Sequence, residues 1–131
     1  MFSPPREWET GRPAKNNDSL VMTFTYKNSG VLLEGDAEKA VERMVATEGP
    51  QAQLMKIAHN GSTTSTIPEL LQEVHPKFAF ISVGARNNFG HPRMETLLRL
   101  QQSGVATYRT DLDGAVTFYL DGKEVRPRVL R

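Results

Sequence analysis

Residues 31–62, VLLEGDAEKAVERMVATEGPQAQLMKIAHNGS, decide the fold class, because their apolar period changes twice. Val31, Leu32 and Leu33 read as a strand that stops at Glu34-Gly35-Asp36. Over residues 37–47, Ala40, Val41, Met44 and Val45 fall at helical spacing, with Glu38, Lys39, Glu42 and Arg43 on the other face. Asp36 sits where an N-cap belongs, Glu38 suits the positive end of the helix dipole, and Gly49-Pro50 ends the helix. Residues 54–58 form a short apolar strand that runs into His59-Asn60-Gly61-Ser62. A strand, a helix and a strand in succession are the unit of a layered α/β protein.

The flanks fit that unit. Upstream, Val21, Thr23 and Thr25 alternate with Met22, Phe24 and Tyr26, and Lys27-Asn28-Ser29-Gly30 has turn chemistry, so a β-hairpin is expected. Residues 1–15 carry Pro4, Pro5 and Pro13 without sustained periodicity and read as a loop-like lead-in. Downstream, a Ser/Thr run precedes a short helix at residues 68–74, with Pro68 at an early helical position. Residues 78–83, FAFISV, read as a strand buried on both faces. A polar loop at residues 84–92 leads to an amphipathic helix at 93–103, carried by Met94, Leu97, Leu98 and Leu100 and closed by Gly104. Residues 105–109 and 115–120 read as two strands joined by a polar turn at Asp113-Gly114. The expected order is ββ-α-β-α-β-α-ββ in a single domain of 131 residues.

The composition, 38% hydrophobic and 24% charged, is that of an ordinary globular protein. A net charge of +1 makes the whole chain no magnet for nucleic acid. The end is different: residues 121–131 read as a basic tail, whose last nine residues, 123–131, hold Lys123, Arg126, Arg128 and Arg131 against Glu124. Such a tail suits a phosphate backbone, or is simply a solvated, partly disordered end. The absence of cysteine excludes disulfides and Cys-ligated zinc and leaves the compartment open. No apolar run is long enough to cross a bilayer, and the first residues lack signal-peptide and transit-peptide patterns.

Three polar segments follow strands: Gly35-Asp36, residues 59–62 and residues 84–91. In open α/β sheets ligands bind at the carboxyl ends of the strands, so the three should converge on one site. Asp36 can cap a helix or ligate a cation, and spacing alone favours capping. His59 can be a metal ligand or a structural strand-end histidine, and Gly61 permits close backbone approach. His91 can donate a proton, contact a phosphate or be an ordinary loop histidine beside Pro92. His75, before Pro76, reads as a surface residue. Ser62, His59 and Asp36 are the residue types of a hydrolase triad, but no Gly-x-Ser-x-Gly elbow accompanies them. Phosphate-loop, dinucleotide and calcium-loop patterns are absent.

Asn16-Asn17-Asp18-Ser19-Leu20-Val21, the stretch from Leu32 through Glu38, and Met55-Lys56-Ile57-Ala58-His59-Asn60-Gly61-Ser62 with Thr64-Ser65-Thr66 occur in that order. Ile81-Ser82-Val83-Gly84, Asn88-Phe89-Gly90-His91-Pro92, Tyr108-Arg109-Thr110-Asp111 and Asp113-Gly114-Ala115-Val116 follow. Together these motifs resemble the C-terminal metallo-β-lactamase-like domain of the DNA-internalisation competence family, ComEC. They are specific for that family, though not for one function within it.

The resemblance implies the C-terminal half of an αββα sandwich: a mixed β-sheet with flanking helices, whose loops hold one or two divalent metals, zinc or manganese. It places Asp36 as a bridging metal ligand, His59 as a later ligand and His91 near a phosphodiester. The family usually reads His-His-Gly-Ser where this chain has His59-Asn60-Gly61-Ser62, so the site survives only if the first histidine is the ligand. The family's main motif, His-x-(His/Asp)-x-Asp-His, is missing from the chain. Catalytic zinc generally takes three protein ligands and a water, so Asp36 and His59 alone should make a poor hydrolase that can lack the metal. Two readings follow. One is a part of a metal-dependent phosphodiesterase or nuclease of DNA uptake. The other is a degenerate or dimerising half-domain that binds DNA or a protein through the same rim. The superfamily also hydrolyses lactams, thioesters and phosphate esters, and fold does not choose among them. A half-domain leaves apolar surface bare, so self-association or pairing with the missing N-terminal half is expected. The parent family is membrane-associated, although this chain carries no membrane segment.

Overall fold

The structure, a computed structural model, describes residues 1–4 and 13–130. The hairpin opens the sheet: Val21–Tyr26 (β1) pairs antiparallel with Ser29–Glu34 (β2). Leu54–Lys56 (β3), Phe78–Ile81 (β4) and Ala106–Arg109 (β5) then add in parallel, giving the order β1-β2-β3-β4-β5. The crossovers are the helices Lys39–Thr47 (α1), Pro68–Val74 (α2) and Met94–Gln102 (α3). Strand order follows chain order and parallel crossovers are right-handed, so all three helices fall on one face of the sheet. There Leu32, Met55 and Ala79 meet Val41 and Val45 of α1, Leu70, Leu71 and Val74 of α2, and Leu100 of α3 in one core. Because the order never reverses, the loops at the strand ends meet without a topological switch point.

The other face explains two departures from expectation. Residues 78–83 are buried on one side only: Ala79, Ile81 and Val83 lie in the core, whereas Phe78 and Phe80 are half-buried opposite. Among the described residues none of the three crossover helices covers that side. Its partial cover is a second, two-stranded sheet of Ala115–Leu120 (β6) and Val125–Leu130 (β7). The Phe118 ring lies 5.6 Å from both Phe80 and Tyr108. The expected tail is therefore largely a strand. Val125, Pro127 and Val129 turn inward while Arg126, Arg128 and Leu130 turn out, an alternation that the basic composition hides. The polar turn expected at Asp113-Gly114 links strands that belong to different sheets. A one-turn helix, Thr110–Asp113 (α4), intervenes, with the Asp113 carboxylate accepting the Arg109 N–H at 2.8 Å. Of the proline-bearing lead-in, residues 5–12 lie outside the described residues, as does Arg131. Ser3 bridges to Val21 at the sheet edge.

Helix α1 departs from its wheel. It begins at Lys39, so Asp36 is not its cap, and Glu38 at the N-cap position makes no capping bond through its side chain. Distant groups hold this end instead: Asn17 Oδ1 accepts the Glu38 N–H at 2.9 Å and the Thr64 carbonyl accepts the Lys39 N–H at 3.0 Å. Glu42, expected on the solvent face, is fully buried. Its carboxylate accepts the N–H groups of Thr66 (2.6 Å) and Ile67 (2.9 Å), donors that the start of α2 leaves unpaired. Glu34 is buried beside it, yet neither carboxylate oxygen has a hydrogen-bond partner among the described residues. Burial first, then repulsion from Glu42, pushes the Glu34 carboxyl well above its ordinary range.

These two acids should respond oppositely to removal. Glu42→Leu strands two amide donors and is expected to destabilise by about 1–3 kcal/mol per donor, whereas Glu34→Leu should be neutral or stabilising. Urea unfolding at neutral pH measures both. The pH dependence has a defined sign. The folded pKa of Glu34 is raised, so its contribution is fully present below the unfolded value, near 4.5. That contribution is lost as pH rises through the folded value. Glu34→Gln should flatten this part of the stability profile.

Candidate functional site

Parallel β2, β3 and β4 end on one rim, and the three polar segments follow them there. Asp36 is exposed, and its N–H donates to Ser19 Oγ at 2.9 Å. Gly35 is required at this approach, since a Cβ there would lie 2.9 Å from Ser19 Cβ. After β3 the backbone enters left-handed conformation at His59 (φ 50°), Asn60 (φ 52°) and Gly61 (φ 85°). Each of the three ties the turn to a neighbour. The His59 N–H donates to the Gly35 carbonyl at 3.0 Å, Asn60 Nδ2 to the Ser82 carbonyl at 2.6 Å, and the Arg93 N–H to the Gly61 carbonyl at 2.9 Å.

The imidazoles of His59 and His91 meet edge to face, centroids 5.7 Å apart. His59 Nδ1 lies 3.3 Å from Thr64 Oγ1 and 4.0 Å from Glu38 Oε1. The His91 N–H donates to Asn87 Oδ1 at 2.9 Å, and Phe89 stacks on the His91 ring at 6.0 Å. Burial, then the positive charge of His59 and of Arg93, pushes the His91 imidazole below its ordinary range; Asp36 opposes them. Lys56 closes the floor, its Nζ donating to the Glu34 carbonyl at 2.9 Å. Burial lowers its pKa, against the pull of Asp36 and Glu34.

The structure thus brings Asp36, His59, Asn60, Gly61 and His91 to one place. Ser62 is buried close by, but its hydroxyl pairs with Thr64 Oγ1 at 3.0 Å and makes no hydrogen bond to His59 among the described residues, so no Ser-His-Asp relay exists. His75 lies apart, exposed at the end of α2. Imidazole and carboxylate donors suit zinc or manganese in kind. In arrangement they fall short: among the described residues no three His, Asp or Glu side chains are grouped to hold an ion. Sequence reasoning missed Glu38, Lys56, Thr64 and Asn87 as partners of the rim. Only Asn87 carried a local signal, its position in an Asn- and Gly-containing loop.

Gly61 is the tightest point. A Cβ there would sit 2.5 Å from Pro92 Cβ in left-handed backbone, whereas one at Gly84 would meet nothing within 4 Å. Gly61→Ala should therefore cost about 1–3 kcal/mol and displace His91 from His59, with Gly84→Ala close to neutral. Thermal unfolding and the imidazole NMR shifts of both histidines check this.

No protein-family model matches the chain. It is 36% identical over 107 residues to ComE operon protein 3 of Bacillus subtilis, an alignment covering 80% of this chain and 14% of that protein. It is 32% identical over 119 residues to Competence protein ComA of Neisseria gonorrhoeae, covering 88% of this chain and 17% of that one. With Recombination protein 2 of Haemophilus influenzae the identity is 33% over 115 residues, 86% of this chain and 15% of the relative. The chain therefore spans between 14% and 17% of the length of these relatives.

Proposed function

This chain is homologous to one stretch of these competence proteins, and we propose that it is the C-terminal part of a metallo-β-lactamase-like domain acting in DNA uptake. The observation that carries the reading is the meeting of Asp36, His59 and His91 on one rim, with the imidazoles 5.7 Å apart. In this reading Asp36 and His59 are part of the ligand set for a divalent zinc or manganese ion, and His91 faces the phosphodiester. In this reading the remaining ligands come from outside the chain: the motif His-x-(His/Asp)-x-Asp-His is missing from it, and among the described residues no three donors are grouped. A bound ion would supply Lewis-acid polarisation, and no hydrolytic step is assigned to this chain by itself.

The isolated chain, purified without chelator, should hold far less than one zinc or manganese per polypeptide and should not cleave DNA. In a longer polypeptide carrying the missing ligands, Asp36→Ala and His59→Ala should each weaken metal binding by more than the roughly 10–100-fold that follows loss of a residue merely supporting a ligand. Near-stoichiometric metal in the isolated chain would contradict the shared site.

The second reading, a non-catalytic half-domain that binds DNA or a protein partner, is favoured by the same lack of a third donor. Both readings leave apolar surface to cover. On edge strand β1, Phe24 and Tyr26 are 57% and 54% exposed. Self-association is the expected outcome for the chain alone, with Phe24→Ser/Tyr26→Ser restoring the monomer. Sedimentation velocity at micromolar concentration decides it.

A further inference from the structure

The loop at residues 84–93 reads GARNNFGHPR, with Arg86 and Arg93 and no acidic residue. At its tip Phe89 is 72% exposed. A single exposed phenylalanine is unremarkable in itself. This one is held on a braced loop: Asn87 Nδ2 donates to the Gly84 carbonyl (2.9 Å) and the His91 carbonyl (2.8 Å), while Asn87 Oδ1 accepts the His91 N–H. The Phe89 ring lies 27° from parallel to the His91 ring, and both line a cavity of about 180 Å³ with Asn60 and Val83. A fixed aromatic face on a loop that carries two arginines and no acid, opening on a small cavity, suits an unpaired nucleotide: the base stacks on the ring and the arginines can meet the backbone phosphates. Duplex DNA keeps its base faces stacked on one another and offers such a ring nothing.

We propose that the loop at residues 84–93 is a stacking platform for an unpaired nucleotide of a DNA strand, with Phe89 as the base-contacting ring and Arg86 and Arg93 as its phosphate contacts. The choice of DNA rests on the uptake function proposed above; the platform rests on the loop. It would hold the strand beside His91, adding positioning to a rim otherwise described only by its metal donors.

The test is fluorescence anisotropy of a labelled oligothymidylate with the full chain, in EDTA so that the outcome is independent of any metal. Phe89→Ala should weaken binding roughly 5- to 150-fold, the range for loss of one stacked base. Phe89→Trp should retain it. Arg86→Gln should make binding less salt-dependent, with log-log slope smaller by about 0.7, the single-strand value for one phosphate contact. A blunt duplex of equal length should bind more weakly than the single strand. Leu112→Ala, which removes a side chain equally exposed at 72% outside the loop, should change nothing. Parent-like binding by Phe89→Ala, preference for the duplex, or no binding by the parent chain would each overturn the platform and leave the metal measurements standing on their own.

Discussion

Three consecutive left-handed residues, His59, Asn60 and Gly61, hold the rim together. Left-handed backbone costs a non-glycine residue about 1–3 kcal/mol, and it persists only where the surroundings over-determine it. Here they do. The turn is bonded to the loop after β2 through Gly35, to the end of β4 through Ser82, and to the start of α3 through Arg93. Asparagine tolerates this conformation better than most residues, and its side chain is spent on the Ser82 carbonyl. Asn60 is thus a brace between loops, and His59 is the member of the pair whose ring meets His91.

The strand-helix-strand succession of residues 31–62 was legible because each element has one buried face, and parallel strands then oblige their ends to share a rim. Two of the failures have one physical origin, partners far away in sequence. Glu42 looks solvent-facing on a helical wheel because its partners are Thr66 and Ile67. Asp36 looks like a cap because nothing local announces that Asn17 and Thr64 will hold the start of α1. The strand at Val125–Leu130 was obscured by its own arginines, which occupy the outward positions of an ordinary alternation. That Asp36, His59 and His91 follow strands that end on one rim was legible. Their distances, and the engagement of His59 with Thr64 and Glu38, were not.

The two buried acids show how little composition says about energy. Both are glutamates in the same core, yet one is bonded through both oxygens and the other through neither. Glu42 joins two helices, while Glu34 contributes to the rim mainly through its backbone carbonyl, which receives the Lys56 ammonium. Lys56 thereby ties the ends of β2 and β3 through a backbone carbonyl that any residue at position 34 would supply.

The two hairpin tips clasp one another. The Asn28 N–H donates to the Gly122 carbonyl at 3.0 Å, and the Gly122 N–H to Ser29 Oγ across 93 residues of sequence. On the ribosome that separation becomes time. At about 5–20 residues per second, several seconds pass between synthesis of the first hairpin and arrival of its clasp. Until then the outward faces of the strands already made wait uncovered, and Phe24 and Tyr26 of the first hairpin wait longest.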